Sequence, residues 1–584
     1  MLYYHLRFPF PQRQIIEIEL RTRIEAGDSL IRLSHWRPGR YEMQNYARFV
    51  ADVTAVNEKG HPLSLRKVET HAWEVSSPEA TELTLSYRFF ANQTDAGGTY
   101  LDGYQMLFNG ITCLMYPDGG LDTPCRMRLD LPDGFGISGG MKREGEEYVF
   151  DSVHTLLDSP FLAGKNLQHE PFDVGGFPIH LWVLGNAEPE FERWRADIAQ
   201  YSHTQLEFWG KCPVQEYHYL YFFLPHPYRH GVEHHQSTVI VMGPGNQIND
   251  ELHYKSLLEI SSHEFFHTWN VKALRPADMW PYRYEAENYS KLHYITEGVT
   301  TYYGDLILWK SKIWDLDLWV QSINGELSRH YQTGAQDYTS LAEASFDSWV
   351  NGYRNDGFPN RRISFYTKGY IVSMLLDAKI RDLTDHRCSL DTVMTEMYHR
   401  VRSEERGYTR ADYQGIMEAQ TGHSFSGFFD RYIDGTEDLE PALKELGEMY
   451  GFMLMNMTPA SPNLAYLGFR VKKDEKDRNL VEQVYEGSPA EQHGLMKGAN
   501  ILSVNGKKAN DNVQLLLAGL KPGASASIEF EHMGMTRTIE LEAGEYRFTT
   551  PQFIVKADPT PDQEEARRLW QEVVAPRMHR SSSN

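Results

Sequence analysis

Cysteine is scarce in this chain of 584 residues: Cys113, Cys125, Cys212 and Cys388 are the full set, and no two form a CxxC pair. A disulfide framework and a cysteine zinc site are thereby excluded, and four reduced thiols remain. Long apolar runs are missing too, since nothing approaches the ~18 residues of a membrane span. The opening residues, Met1 to Pro11, lack a basic segment followed by an apolar one. We therefore expect no membrane partner and a cytoplasmic location, with the periplasm as the alternative for a chain that has shed a leader. Positive charge is in the minority, 58 Lys and Arg against 80 Asp and Glu, for a net −22. That balance disfavours a phosphate backbone as ligand, so no nucleic-acid partner is expected. No long-period repeat and no low-complexity tract occurs, and the composition lies inside the globular range, which excludes global disorder.

What is present suits a multidomain globular protein. Hydrophobic residues make up 41%, aromatic 13% and charged 24%, and at about 150 residues per domain the length allows three or four domains. Period-2 alternation marks the first 170 or so residues as β structure, as in Ile16, Ile18 and Leu20 or Leu83, Leu85, Tyr87 and Phe89. From Glu190 to about Tyr450 the apolar spacing becomes mostly helical. After about Ser461 short strands return, with one short helix near Val513 to Leu520. Thr560-Pro561-Asp562-Gln563 then places Thr at an N-cap, Pro at N1 and Gln at N3 of a last helix, followed by a tail from Arg577 expected to be disordered.

The most specific signal is Ser262-His263-Glu264-Phe265-Phe266-His267, an HExxH match. Histidines at i and i+4 leave one face of a helix together and can grip one Zn²⁺, while the Glu between them reaches the attacking water. The predicted helix, Tyr254 to Asn270, has apolar neighbours that bury one side, and two histidines on a buried helix are costly unless paired or ligated. A catalytic zinc needs a third protein ligand. Glu297 is a candidate, in a helix-compatible run whose other polar residues are mostly uncharged, and Glu285 and Glu287 are rivals in a loop-like stretch.

The run from His263 to Pro276, followed by Glu287-Asn-Tyr289, Glu297-Gly298 and Tyr302-Tyr303, closely resembles the glycyl aminopeptidase family of metallopeptidases, peptidase family M61. These are gluzincins related to the aminopeptidase N family. The resemblance implies a multidomain α+β chain: a β-rich N-terminal domain (1–175), a mostly helical thermolysin-like zinc peptidase domain (176–458), a PDZ domain (459–546) and a C-terminal extension (547–584). It also implies one zinc ion on His263, His267 and Glu297, with Glu264 as general base. Gly231-Val-Glu233-His234 is similar to the family's Gly-x-Glu-His segment, which makes Glu233, beside Gly231, the anchor for a substrate's free α-amine. Tyr366-Thr-Lys368-Gly369 resembles the Tyr-x-Lys-Gly segment, which makes Tyr366 the donor to the developing oxyanion. Relatives often carry an acid four residues after the glutamate ligand, where this chain has Thr301, and often Trp where it has Tyr294. Tyr466-Leu467-Gly468-Phe469 resembles the carboxylate-binding loop of a PDZ domain, implying capture of a C-terminal peptide.

The expected function is removal of small N-terminal residues, Gly or Ala, from peptides with a free N-terminus. The alternatives are a zinc endopeptidase that recruits substrate tails through its PDZ domain and a non-catalytic PDZ scaffold.

Overall fold

The structure is a computed structural model that describes residues 1–332, 334–354, 357–358, 360–457, 465–509, 513–517, 520–545 and 549–574. The tail from Arg577 and the boundary at residues 458/459 lie outside the described residues. No described helix is long and apolar enough to cross a membrane.

The N-terminal part is β-rich, as its alternation predicts. Strand Ile15–Ile24 buries Ile16, Ile18, Leu20 and Ile24 and pairs antiparallel with Thr81–Phe90, with Leu20 opposite Leu85 and Ile18 opposite Tyr87. These strands belong to a seven-stranded sheet, and a four-stranded sheet around Gly27–Arg32 and Ala72–Ser77 shares its apolar core. One wet and one dry face per strand is what produces the period of two.

A five-stranded sheet follows, ordered Gln168–Val174, Phe177–Gly185, Tyr217–Phe223, Ser237–Gly243 and, at one edge, Tyr228–Glu233. The texture read as helical from Glu190 onward thus contains three strands, and in two of them, Tyr217–Phe223 and Ser237–Gly243, every residue is buried. Strands covered on both faces read as continuous apolar runs, which periodicity cannot tell from buried helix. The hairpin Gln168–Val174/Phe177–Gly185 crosses residue 175, and we propose drawing the domain boundary ahead of Gln168. Beyond the sheet the chain is helical, and its central helices are Glu251–Phe266, Thr300–Lys310 and Phe365–Leu383.

The PDZ module has a core of its own, built from Leu467, Val481, Ile501, Val504, Ile528, Phe530 and Leu541 among others. It is inserted rather than appended. Strand Phe452–Met457, before it, pairs with Thr550–Val555, after it. Helix Pro561–Gln571 starts at the predicted capping box, with Thr560 accepting from Gln563 N and Gln563 reaching back to Thr560 N. Its Trp570 is fully buried in the main core, so we propose assigning the stretch from Thr550 onward to the catalytic body.

Candidate active site

Helix Glu251–Phe266 presents His263 one turn before His267, which caps the helix C-terminus. Their Nε2 atoms stand 2.9 Å apart. Facing them is Glu297, whose Oε2 lies 3.8 Å from His263 Nε2 and 3.4 Å from His267 Nε2. Glu297 sits in a π-helical turn, Tyr294–Val299, that opens the helix Thr300–Lys310. Such an extra-wide turn re-aims a side chain and recurs at functional sites.

The three edges, 2.9, 3.4 and 3.8 Å, bracket the ~3.4 Å that a tetrahedral ion with ~2.1 Å bonds keeps between its ligands. Two imidazole nitrogens at 2.9 Å must share a proton or a metal, because two lone pairs would repel. His267 Nδ1 is bonded to the backbone oxygen of Asn270 at 2.7 Å, which aims Nε2 at the centre. Asn270 is fixed in turn, donating to Ile295 O at 2.9 Å and Thr300 Oγ1 at 3.0 Å. Thr301 does not stand in for the missing acid; its hydroxyl donates to the backbone oxygen of Glu297. These residues fit a zinc ion, with two neutral nitrogens and one carboxylate. A second set, Glu233, Glu264 and His267, also brings its ligand atoms within 4.8 Å of one another, but with two carboxylates it suits zinc less well.

The edge strand Tyr228–Glu233 runs alongside the histidine helix, and Gly231 lies so close that a side chain there would overlap Glu264 Oε1. Gly231 therefore makes room for Glu264. Glu233 and Glu264 are 3% and 4% exposed, and Glu233 Oε1 and Glu264 Oε2 have no hydrogen-bond partner. Burying a carboxylate without a partner is costly. Tyr366 lies in the first turn of the helix Phe365–Leu383, which packs against the glutamate turn at a paired close approach of Gly298 and Gly369. Its hydroxyl lies 3.3 Å from that of Tyr353. Gly231, Glu233, His263, Glu264, His267, Glu297 and Tyr366 all line one cavity of about 660 Å³. Glu285 and Glu287 do not line it.

Electrostatics mark the same place. Burial, reinforced by Glu233 and Glu297, pushes the Glu264 carboxyl up to about 8. Burial and the neighbouring His267 hold His263 well below the usual imidazole range. Burial opposes charge on His267 as well, yet the adjoining Glu297 carboxylate lifts it to about 10. Three carboxylates crowded around two imidazoles call for a cation.

In the PDZ module, Gly468 has φ +81° and would clash with Ser488 if it carried a side chain. Its carbonyl accepts from Tyr485 N and that of Leu467 from Ala490 N, which shapes the loop Tyr466–Phe469 beside the terminal strand Phe469–Lys473. Tyr41, Tyr353 and Asn270 also hold this cleft, and no sequence motif marks that role. The only local sign was a tight Pro38-Gly39 turn in Trp36-Arg-Pro-Gly-Arg-Tyr41.

Sequence profiles place an M61 peptidase N-terminal domain at residues 3–165, an M61 glycyl aminopeptidase domain at 256–372 and a PDZ domain at 465–543. The chain carries both M61 peptidase domains. It is a metallopeptidase, a hydrolase of peptide bonds. A crystal structure of an aminopeptidase N family protein from Idiomarina loihiensis superposes with a TM-score of 0.90 at 25% identity, over 97% of this chain and 99% of that one. An M1 zinc metallopeptidase from Deinococcus radiodurans aligns at a TM-score of 0.43 and 14% identity, over 72% of this chain and 89% of that one. Among curated protein sequences none matches.

Proposed function

We propose that this M61 protein is a zinc aminopeptidase that removes small residues, Gly or Ala, from peptides with a free N-terminus. In this reading His263, His267 and Glu297 hold one zinc ion. When bound, zinc supplies Lewis-acid polarisation and lowers the pKa of water. Glu264, beside the histidines and lacking a partner for one oxygen, takes the proton of the attacking water and hands it to the leaving amine. Tyr366, aimed into the same cavity, donates to the oxygen that gains charge. A phenol suits that task because it does not compete for the metal.

The observation that carries the exopeptidase reading is Glu233: a buried carboxylate with an unpartnered oxygen, inside the cleft and next to Glu264. Its natural complement is the ammonium of a substrate N-terminus, a charge-assisted contact worth about 1.5–3 kcal/mol. Anchoring the amine there sets the first peptide bond over the catalytic group. The PDZ strand Phe469–Lys473, terminal in its sheet, supports a second, separate role as acceptor of a C-terminal peptide.

The test is hydrolysis of matched free and N-acetylated glycyl substrates by wild type and Glu233→Gln. Wild type is expected to cleave only the free amine, and the variant to lose kcat as well as gain KM. Equal cleavage of both substrates by wild type would establish the endopeptidase alternative instead.

A further inference from the structure

The cleft is completed by a side chain from another domain. Tyr41 belongs to the β-rich N-terminal part, yet it is fully buried and its hydroxyl donates to Glu297 Oε1 at 3.3 Å. The other oxygen of the same carboxylate, Oε2, is the one that faces both histidines. The loop carrying Tyr41 is pinned to the catalytic body at several points. Trp36 Nε1 donates to Arg283 O at 2.7 Å, His35 N to Tyr284 O at 2.8 Å, and Tyr41 N to the hydroxyl of Tyr353 at 3.4 Å. The Tyr41 ring stacks on His293, with centroids 3.8 Å apart, just before the π-helical turn of Glu297. Two residues earlier, Gly39 lies against Glu233 without room for a side chain.

A carboxylate ligand has two oxygens, and the one turned away from a metal must be held or the group swings between one- and two-oxygen binding. Partners of that outer oxygen therefore tune affinity although they never touch the ion. We propose that Tyr41 is a positioning residue for Glu297, so that the N-terminal domain sets the grip of the catalytic domain on its metal. This inference rests on the zinc reading above.

The experiment is equilibrium zinc binding by the full chain, measured by competition with a chromogenic chelator, for wild type, His263→Ala and Tyr41→Phe. Chemical unfolding of the metal-free proteins is measured alongside. Tyr41→Phe removes one oxygen and keeps the ring on His293. It is expected to weaken zinc binding 10- to 100-fold while the metal-free unfolding midpoint stays at the wild-type value, and His263→Ala is expected to abolish binding. Wild-type affinity in Tyr41→Phe beside loss in His263→Ala would overturn the role of Tyr41 and leave the zinc site standing. A lowered metal-free midpoint with unchanged affinity in the folded fraction would also overturn it, as a purely structural effect. Equal binding by wild type and His263→Ala would overturn the zinc reading and this inference with it.

Discussion

At the back of the catalytic body Lys310 and Arg381 meet Asp377 and Asp391, four side chains with no solvent exposure. At the front, Glu233, Glu264 and Glu297 crowd around His263 and His267. The back cluster is balanced, two cations against two anions, and nearly every polar atom is used. Lys310 donates to Asp391 and to Glu572 O, Arg381 to Asp377 and to Leu569 O, Tyr302 and Trp570 to Asp377, and Tyr303 to Asp391. Only Arg381 Nη2 lacks a hydrogen bond, and it lies 3.8 Å from Asp391. The front cluster is weighted toward negative charge and leaves carboxylate oxygens on Glu233 and Glu264 unmatched. Burial alone thus does not mark a working site. A closed network ties elements together, whereas an open one is poised for something that arrives from outside.

The strongest way to break this contrast is at Glu264. Glu264→Gln keeps the shape and removes the base, so kcat should fall roughly 10³-fold with zinc content unchanged, read by hydrolysis of a glycyl amide and by elemental analysis. Loss of zinc along with activity would make Glu264 part of the metal-holding set and blur the division of labour. At the back, Lys310→Met leaves Asp391 short of a cation and should cost about 3–5 kcal/mol in chemical denaturation, with kcat of the folded protein little changed. A cost under about 1 kcal/mol would show that the back cluster is not a closed network.

A smaller effect sharpens the same contrast through pH. Lys368 is 1% exposed, and burial, opposed by Glu343, brings its amine down to about 8. Between pH 8 and the ~10.4 of a free lysine the unfolded chain holds a proton that the folded chain has released. Stability therefore rises with pH across that window, and the burden of this lysine is largest below it. Lys368→Met should be more stable than wild type by roughly 2–3 kcal/mol below pH 8, and the gain should vanish by about pH 10.5. A pH-independent difference in the unfolding midpoints would show that Lys368 keeps its charge in the fold.

Local chemistry was legible in the sequence and distant chemistry was not. The spacing of His263 and His267, the alternation of Ile16 to Leu20 and the cap at Thr560 are short-range patterns, and the structure displays each of them. The strands Tyr217–Phe223 and Ser237–Gly243 escaped because burial on both faces erases alternation. The partner of His267 escaped because it is a backbone carbonyl, that of Asn270, which no residue type announces. Tyr41 escaped because 256 residues separate it from Glu297. The insertion of the PDZ module escaped for a related reason: the two strands that bracket it are ordinary by themselves, and only their pairing reveals it.

The C-terminal helix has a consequence in time as well as in space. Trp570 donates to the hydroxyl of Tyr302, on the helix that continues from Glu297, across 268 residues of sequence. At roughly 5–20 residues per second, a ribosome needs roughly 10–50 s to make that interval. Until it ends Tyr302 lacks Trp570, Lys310 the carbonyl of Glu572 and Arg381 that of Leu569, while the PDZ module, with its own core, has everything it needs to fold. This helix, translated after the PDZ module, is thus the wedge that completes the scaffold behind the metal-binding turn. A ribosome that stalls after the PDZ module would release a chain that has every candidate ligand and no finished peptidase.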